Sequence, residues 1–488
     1  PRRSPHPVHT TPPPAPHIPG ASRTTGGAAH TGMADGRRAW GPGVAGRGRT
    51  RQHRAIASLL ADITPLRRSP DYRRLFGGQA VAFLGRQVTI VAAPLQVYNL
   101  TNSSAMVGLL GLAQLPFLIA GSMLGGTLAD AHERRRLLLI ANVFPLLFAA
   151  GLAWNASRPG QGAVWPIFVL TALQAGISGI DSPTRSAVTP ELVGEDLITA
   201  ASALNQILFH VGGVSGPALA GIVIARWGVG PAYWMEVAAF GLALLMLLRM
   251  HRLPPPGGGT RAGVASILEG LRFLRGRRAL QGTFLIDINA MVFGMPRALF
   301  PELAATVFGG GAATVGLLHS SVAVGGLLGA VTSGWTGRVR HAGRAVLWAV
   351  AGWGVATAAF AATSFLPLAL ACLAVAGASD VVSAVFRNTI LQLTVPAGLR
   401  GRLNAVHISV VAGGPRLGDL ESGLVAAAVG PQVSAVSGGL ICVAGVALLA
   451  RLLPDFAHWT PADAAGPAIA ASPSDGPAPA PTEGSAGS

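Results

Sequence analysis

The sequence predicts an all-α integral membrane protein with twelve transmembrane helices arranged in two six-helix, pseudo-symmetric halves. Composition, a series of long apolar segments and an internal repeat support this fold class. Half of the 488 residues are hydrophobic and only 11% are charged, whereas soluble proteins carry about a quarter charged residues. The mean hydropathy is +0.50. The composition therefore indicates a membrane protein before any motif is considered.

Twelve apolar segments are long enough to cross a bilayer, for which a helix needs about 20 mostly apolar residues. Backbone polar groups in lipid must be satisfied within the segment, so segments of this length are helices. The roughly ten-residue alternating pattern of barrel strands is absent. The predicted segments are 75–99, 106–129, 137–157, 163–184, 197–225, 229–250, 279–300, 313–336, 345–365, 367–386, 403–428 and 430–453.

The distribution of arginine predicts the orientation in the membrane. All 36 basic residues are arginine, and the absence of lysine excludes ATP-driven transport through a P-loop. With both termini in the cytoplasm, 22 arginines lie near the inner ends of the segments, and only Arg158, Arg226 and Arg297 fall in outer loops. Arg86 and Arg416 lie within the membrane. The positive-inside rule therefore predicts a multi-pass protein of the inner (plasma) membrane with cytoplasmic termini.

Five regions follow from the changes in composition. Residues 1–66 are rich in Pro, Gly, Arg and His and predict a disordered basic tail, in which Met33 leaves open whether residues 1–32 are translated. Residues 67–250 form the first six-helix half. Residues 251–278 form a cytoplasmic linker with an amphipathic helix, and residues 279–456 form the second half. Residues 457–488 predict a second disordered tail.

An internal repeat relates the two halves. A shift of 208 positions places Gly126 on Gly334, and a shift of about 199 places Asp181 on Asp380. These matches pair segments two with eight and four with ten, in the order that a duplication requires. Repeated halves place a substrate site near the bilayer midplane, where movement of one half against the other can expose it to either side.

The loop after segment two contains Gly126, Asp130, Arg134, Arg135 and Arg136 in the pattern G-x-x-x-D-x-x-x-R-R. The pattern resembles the signature loop of the major facilitator superfamily. The resemblance implies the major facilitator fold and a conformational latch, in which the carboxylate pairs with arginine and stabilises one conformation. Simple positive-inside anchoring would explain the three arginines, but neither the aspartate nor the glycine.

Segment five contains Gly212, Gly216, Pro217 and Gly221. These residues resemble the antiporter motif G-x-x-x-G-P-x-x-G-G of the exporting branches of the superfamily, with Ala220 in place of one glycine. Ordinary close packing of two helices would use the same glycines. Together with the loop after segment two, the motif favours export over import.

Further stretches resemble the enterobactin-exporter branch, which also includes macrolide and multidrug efflux proteins. The similarity covers about residues 70–453. It implies a secondary active transporter that exports a small amphipathic compound, either a siderophore or a drug, by alternating access. The resemblance further implies proton antiport, with the proton gradient as driving force and no bound cofactor. The stretches are 78–81, 125–136, 269–275, 396–404 and 414–419.

Ionisable residues within the membrane are candidates for substrate binding or proton coupling, because burying them is unfavourable. Asp287 is the first candidate for the proton carrier, followed by Asp419 and Asp380. Arg86 and Asp287 are expected to form an ion pair, whereas Arg416 and Asp419 could simply neutralise each other. The full set of candidates is Arg86, Asp287, Asp380, Arg416, Asp419 and Glu421. Candidates for the apolar wall, with packing as the alternative, are Phe83, Met291, Phe293, Met295 and Trp234.

Other functions remain as alternatives. The same fold could import a nutrient, but the antiporter-like motif in segment five argues against import. A non-transporting sensor or assembly factor would not need Asp130 or the charges within the membrane. Enzymatic activity is not expected, since no catalytic constellation or phosphate loop occurs, and Cys372 and Cys442 are too few for a metal site. The expected partners are a small amphipathic substrate and the bilayer, with no nucleic acid, and the protein is expected to be a monomer.

Overall fold

The computed structural model describes residues 62–251 and 272–464, and every regular element in these two ranges is helical. Most of the predicted linker helix and most of both predicted tails lie outside the described residues. Twelve long helices are named α1 to α12 here. Their bounds are Pro70–Thr101, Ser104–Ala131, Arg134–Ala156, Val164–Val193, Ile198–Trp227, Val229–Leu248, Arg278–Phe293, Ala312–Thr332, Ala342–Ala362, Leu366–Thr394, Ala397–Val429 and Pro431–Leu452.

Length and apolar composition qualify 11 of the described helical segments as membrane-spanning. One of them is the 29-residue segment Arg278–Thr306, in which α7 is followed by a helical turn, Arg297–Leu299, and by the short helix Phe300–Thr306. The twelfth is α11, which has 33 residues. It carries three charged residues within six positions, Arg416, Asp419 and Glu421. The predicted twelve-helix architecture is confirmed.

Local signals define the helix ends. The Ser69 and Ser103 hydroxyls accept hydrogen bonds from the backbone N–H groups of the first turns of α1 and α2, which otherwise lack partners. Gly228 and Gly430 end α5 and α11 with φ of 87° and 89°. Only glycine adopts this backbone conformation without strain, so both positions allow a tight turn into the following helix at equivalent points of the two halves.

Two helix pairs join the halves, and glycine allows both close contacts. A Cβ atom on Gly221 of α5 would lie 3.0 Å from the Cα of Gly316 on α8. A Cβ on Gly108 of α2 would overlap the backbone of Asp419 on α11. Small residues at such crossings let two backbones approach closely, which is how helices associate in a bilayer.

The hydrophobic core shows on which side the halves are packed together. The terminal side is defined as the side where α1 begins and α12 ends, and the far side is opposite. One buried cluster on the far side combines residues of both halves, including Val97 and Ile224 with Phe300 and Val315. The described clusters on the terminal side each belong to one half. The described conformation is therefore closed on the far side.

The chain after α12 packs back onto the second half. Phe456, in the short helix Pro454–Ala457, is fully buried, and its ring and backbone occupy the space beside Gly282 of α7 and Gly343 of α9. Trp459 is only 4% exposed. The prediction of a disordered tail from residue 457 is therefore wrong for its first residues, because Ala457 and Trp459 are buried against the helical bundle and a short helix, Pro461–Ala464, follows.

Candidate functional site: a central cavity between the halves

A cavity of about 360 Å³ lies between the two halves. The first half lines it with residues of α1, α2 and α4. The second half contributes α8, α11 and the segment that follows α7. This position agrees with a site between repeated halves. The polar lining residues are Arg86, Thr89, Gln114, Thr171, Gln174, Ser178, Arg297, His319, Arg416 and Asp419.

Three arginines dominate the charge of this cavity. Arg86 extends from α1, Arg416 from α11, and Arg297 from the turn after α7. Each has a buried Nε–H group without a hydrogen-bond partner among the described residues. Asp419 is the one carboxylate of the described lining. Buried donors normally have acceptors, and guanidinium groups bind carboxylate and other oxyanions strongly. The cavity is therefore chemically suited to an anionic ligand.

Arg297 reaches the cavity because α7 is interrupted within the membrane. The helix ends at Phe293 and resumes as a turn at Arg297. Proline at position 296 lacks an N–H group and cannot continue the helix. The prediction that Arg297 lies in an outer loop is wrong, since the segment continues across the membrane to Thr306. The sequence signal was a glycine and a proline, Gly294 and Pro296, near the end of an apolar segment.

Side chains of α9 and α11 satisfy the backbone at this interruption. The Trp353 indole N–H and the Thr357 hydroxyl both donate to the Gly294 carbonyl, at 2.8 and 3.0 Å. The Ala298 backbone N–H donates to Asp419 Oδ1 at 3.1 Å. Irregular backbone within a membrane requires such partners.

Arg416 and Asp419 interact electrostatically, but no described hydrogen bond or ion pair joins them directly. Arg416 Nη1 donates to the Ala412 carbonyl of its own helix at 2.6 Å, and the Asp419 carboxylate accepts from the Ala298 N–H. Glu421, the remaining candidate on α11, is only partly buried and is not among the residues that line the cavity.

A charged cluster of the first half borders the cavity. Arg185 Nε donates to both oxygens of Asp181 within α4, each at 2.8 Å. Arg86 lies 3.8 Å from the same carboxylate. Asp181 is thus shared between two arginines, and this cluster has an excess of positive charge.

The second half contains the corresponding cluster with opposite charge. Arg387 of α10 pairs with Asp287 of α7 and lies 3.6 Å from Asp380. His407 of α11 lies 4.0 Å from Asp287. Two carboxylates share one arginine, so this cluster has an excess of negative charge if the histidine is neutral.

These clusters correct two predictions. The expected Arg86–Asp287 ion pair is wrong for this conformation, because each residue pairs within its own half. Arg387 is one of the 22 arginines that the sequence places near the inner ends of the segments, but it lies within α10 and is only 3% exposed. The expected count of arginines inside the membrane was therefore too low. Nothing in the sequence around Arg387 distinguishes it from an arginine that ends a span.

Glu236 of α6 is a fully buried carboxylate beside the cavity wall. Its two oxygens accept hydrogen bonds from the Thr89 hydroxyl and from Gln174 Nε2. Both partners line the cavity on their other side. No described basic side chain forms an ion pair with Glu236, although Arg86 interacts with it electrostatically.

The predicted latch is described only in part. Arg134 is buried, pairs with Glu191 of α4 and donates to the Ala187 carbonyl at 3.2 Å. Arg135 donates to the Leu248 carbonyl at the end of α6, at 2.7 Å. Arg136 pairs with the neighbouring Glu133. The environments of Gly126 and of the Asp130 side chain lie outside what is described, so the role of the Asp130 carboxylate stays a prediction.

The antiporter-like motif of α5 packs on two neighbours. Gly212 and Gly216 lie against Phe83 and Gln87 of α1 in the same half. Pro217 and Gly221 lie against α8 of the other half, where the Pro217 carbonyl would overlap a Cβ on Gly316. The motif therefore forms part of the contact between the halves. The link between this motif and antiport, which the resemblance implies, stays a prediction.

None of the predicted apolar wall residues lines this cavity, whose apolar lining is aliphatic. Phe83 stacks against Phe209, with ring centroids 4.8 Å apart. Trp234 is 51% exposed on the outside of α6. The packing alternative applies to Met291, which contacts Gly414, and to Phe293. The remaining candidate, Met295, also packs in the core of the second half.

Comparison with known proteins agrees with this architecture. The enterobactin exporter EntS of Shigella boydii serotype 18 (strain CDC 3083-94 / BS512) is 29% identical over 397 residues, which are 81% of this chain and 95% of the relative. The enterobactin exporter EntS of Escherichia coli strain K12 is 28% identical over 403 residues, 82% of this chain and 96% of the relative.

Two solved structures show the same fold. A bacterial homologue of the human lysosomal transporter Spinster, in an inward-facing and unoccupied conformation, superimposes with a TM-score of 0.62 at 15% identity over 80% of this chain and 98% of its own. A D-xylose–proton symporter gives a TM-score of 0.62 at 16% identity, over 79% and 98% of the two chains.

The fold, together with the match to curated exporters and to a family model, identifies the chain as a secondary transporter of the major facilitator superfamily and not an enzyme. A family model described as transmembrane secretion effector matches residues 60–470. The chain belongs to this family.

Proposed function

We propose that the protein exports an anionic siderophore across the inner membrane by alternating access, driven by the proton gradient. The observation that carries the proposal is the set of three cavity arginines, Arg86, Arg297 and Arg416, each with a buried Nε–H that has no hydrogen-bond partner in the described part of the chain. Siderophores hold Fe³⁺ through acidic oxygen donors, and such oxygens are the ligands that guanidinium groups prefer. The relatives named as enterobactin exporters support the same substrate class. A cationic drug would be repelled by this cavity.

The proposed direction depends on orientation. The excess of arginine on the terminal side supports cytoplasmic termini. In that orientation a conformation closed on the far side is ready to load substrate from the cytoplasm. A reporter fused after residue 464 should be active if it functions only in the cytoplasm, and inactive if it functions only outside the cytoplasm. We further propose that the protein works as a monomer with the bilayer and the substrate as its partners, which light scattering of the purified protein can test.

The charge cluster of the second half supports proton coupling. Asp287 and Asp380 share Arg387, so one carboxylate lacks a full counter-charge and can bind a proton. Asp380 is the better candidate because its side chain is 36% exposed, against 1% for Asp287. We propose that the protein, with Asp380 protonated, returns to the cytoplasm-facing conformation without substrate. Transport by the Asp380→Asn variant should therefore no longer respond to the pH gradient.

Everted membrane vesicles test the function directly. Energised vesicles that contain the protein should accumulate enterobactin. Nigericin, which dissipates the pH gradient, should abolish this uptake, whereas valinomycin with potassium should reduce it less. Uptake that resists nigericin but follows the membrane potential would contradict proton antiport. Uptake that requires ATP in the presence of a protonophore would contradict secondary transport.

Substrate recognition is tested by Arg297→Gln, with Arg226→Gln as the control. Arg226 lies exposed at the far end of α5. Loss of one charged hydrogen bond, worth about 1.5–3 kcal/mol, should raise the KM for enterobactin roughly tenfold or more in the Arg297 variant. The control variant should transport normally. Preferred uptake of a cationic macrolide, or an unchanged KM in Arg297→Gln, would contradict an anionic substrate.

A further inference from the structure

Asp419 has the expected appearance of a proton carrier, since it is a carboxylate within the membrane that lines the cavity. Its hydrogen bond indicates a different use. Asp419 Oδ1 accepts the backbone N–H of Ala298, 3.1 Å away, in the segment where α7 is interrupted. In a bilayer this N–H needs an acceptor, and a side chain of α11 supplies it.

The fold brings α11 close enough for this contact. A Cβ on Gly418 would overlap the Met291 carbonyl of α7, and a Cβ on Gly414 would lie 2.9 Å from the Met291 side chain. These two glycines therefore let α11 lie directly against the end of α7. The short aspartate side chain then reaches the interrupted backbone.

Ala298 directly follows Arg297, so an anchor on the Ala298 N–H fixes the backbone from which the arginine extends. The opposite side of the interruption is held by Trp353 and Thr357 through the Gly294 carbonyl. The segment 294–298 is thus attached at both ends by side chains of other helices. The Asp419 carboxylate interacts electrostatically with Arg297 and Arg416, but its described hydrogen bond goes to the Ala298 backbone, so the N–H groups of the cavity arginines stay available to an anion.

We infer that Asp419 is a positioning residue for substrate recognition, which holds Arg297 in the cavity through the Ala298 N–H and does not serve as the proton carrier. The inference rests on the proposed function of the cavity. It requires only an acceptor oxygen at position 419, and the negative charge is dispensable.

Three variants distinguish a role of Asp419 as a hydrogen-bond acceptor from a role of its negative charge. Asp419→Asn keeps an acceptor oxygen and should retain the KM for enterobactin within about threefold, with transport still dependent on the pH gradient. Asp419→Ala removes the acceptor and should raise the KM roughly tenfold, with a smaller change in the maximal rate. The control is Glu195→Ala, which changes an exposed carboxylate on the terminal side, outside the cavity lining, and should leave the KM unchanged.

A double variant tests whether Asp419 acts through Arg297. If it does, Asp419→Ala combined with Arg297→Gln should be no worse than Arg297→Gln alone, since coupled residues are not additive. If the double variant instead raised the KM by the product of the two single effects, the inference would be overturned. An Asp419→Asn protein as impaired as Asp419→Ala would also overturn it, because a charge or a proton would then be required.

A measurement without substrate separates this inference from the proposed function. Arg297→Cys is introduced after Cys372→Ala and Cys442→Ala, and the rate of maleimide labelling is measured in folded, monodisperse protein. Asp419→Ala should change this rate at least severalfold, and Asp419→Asn should not. Equal rates in all three backgrounds would overturn the positioning role. Failure of wild-type vesicles to accumulate enterobactin, with the labelling pattern as expected, would refute the proposed substrate alone.

Discussion

Buried carboxylates of this transporter differ in how they are satisfied, and Glu236 is the clearest case at the level of single residues. It is fully buried, with Thr89 and Gln174 as hydrogen-bond donors from α1 and α4. Glu236 therefore joins three helices of the first half. Asp181, Asp287 and Asp380 pair instead with arginines. Buried carboxylates therefore differ in whether neutral donors or arginines satisfy them, and this difference cannot be predicted from the residue type alone.

Glu236→Ala should destabilise the first half. The change leaves two buried donors without an acceptor, at about 1–3 kcal/mol each, so the thermal unfolding temperature in detergent should fall by several degrees. Glu236→Gln should have a smaller effect. The control is Asp196→Ala, which removes an exposed ion pair with Arg68 and should cost about 0–1 kcal/mol. Equal stability of Glu236→Ala and wild type would show that this network does not stabilise the fold.

At the scale of the helices, glycine determines where the two halves meet. The contact between α5 and α8 leaves no room beside Gly221, where a Cβ would lie 2.7 Å from the Ala312 carbonyl. Backbone atoms cannot move aside as a flexible side chain can. The close spacing between the halves therefore depends on residues that contribute almost no side chain.

Gly221→Val should impair closure of the far side. Overpacking costs about 1–3 kcal/mol, and here it acts on the conformation in which α5 and α8 touch, so the transport rate should fall strongly. Gly334→Val is the matched control, because a Cβ there meets nothing within 4 Å. A normal transport rate in Gly221→Val would show that this contact is not needed during the cycle.

The segment after α12 is a second element whose role follows from packing. Phe456 fills space beside Gly282 and Gly343. Phe456→Ala should therefore destabilise the second half by about 3–5 kcal/mol, since large-to-small changes leave a cavity. Phe365→Ala, at a residue that is 64% exposed, should unfold at nearly the wild-type temperature. A similar loss in both variants would argue against a specific role of the segment.

For the whole molecule, closure on the far side predicts one-sided access to the cavity. Ser178 lines the cavity, so Ser178→Cys in a background without native cysteines should react with a membrane-impermeant maleimide from the terminal side. Enterobactin should slow the reaction. Ser157→Cys, at an exposed residue after α3, should react only from the far side. Reaction of Ser178→Cys from the far side alone would contradict the described conformation as the resting state.

Much of the architecture could be predicted from the sequence, and the partners of the charged residues could not. The number of spans, the two halves and a cavity between them all agree with the structure. The Arg86–Asp287 pair and the position of Arg297 do not. Pairing depends on how each helix is rotated about its axis. Helices in a bilayer are apolar on nearly all sides, so periodicity contains little information about that rotation.

By itself the sequence determined that this chain crosses a membrane with twelve helices in two related halves, because span length, hydropathy and repeat spacing are read along the chain. It also named Arg86, Arg416 and Asp419 as candidate site residues, and these three line the central cavity. Only the tertiary structure decided that Arg297 joins them and that Asp419 bonds to the backbone. The physical reason is that an interrupted helix in lipid must be completed by groups distant in sequence, and those groups become neighbours only when α7, α9 and α11 pack together.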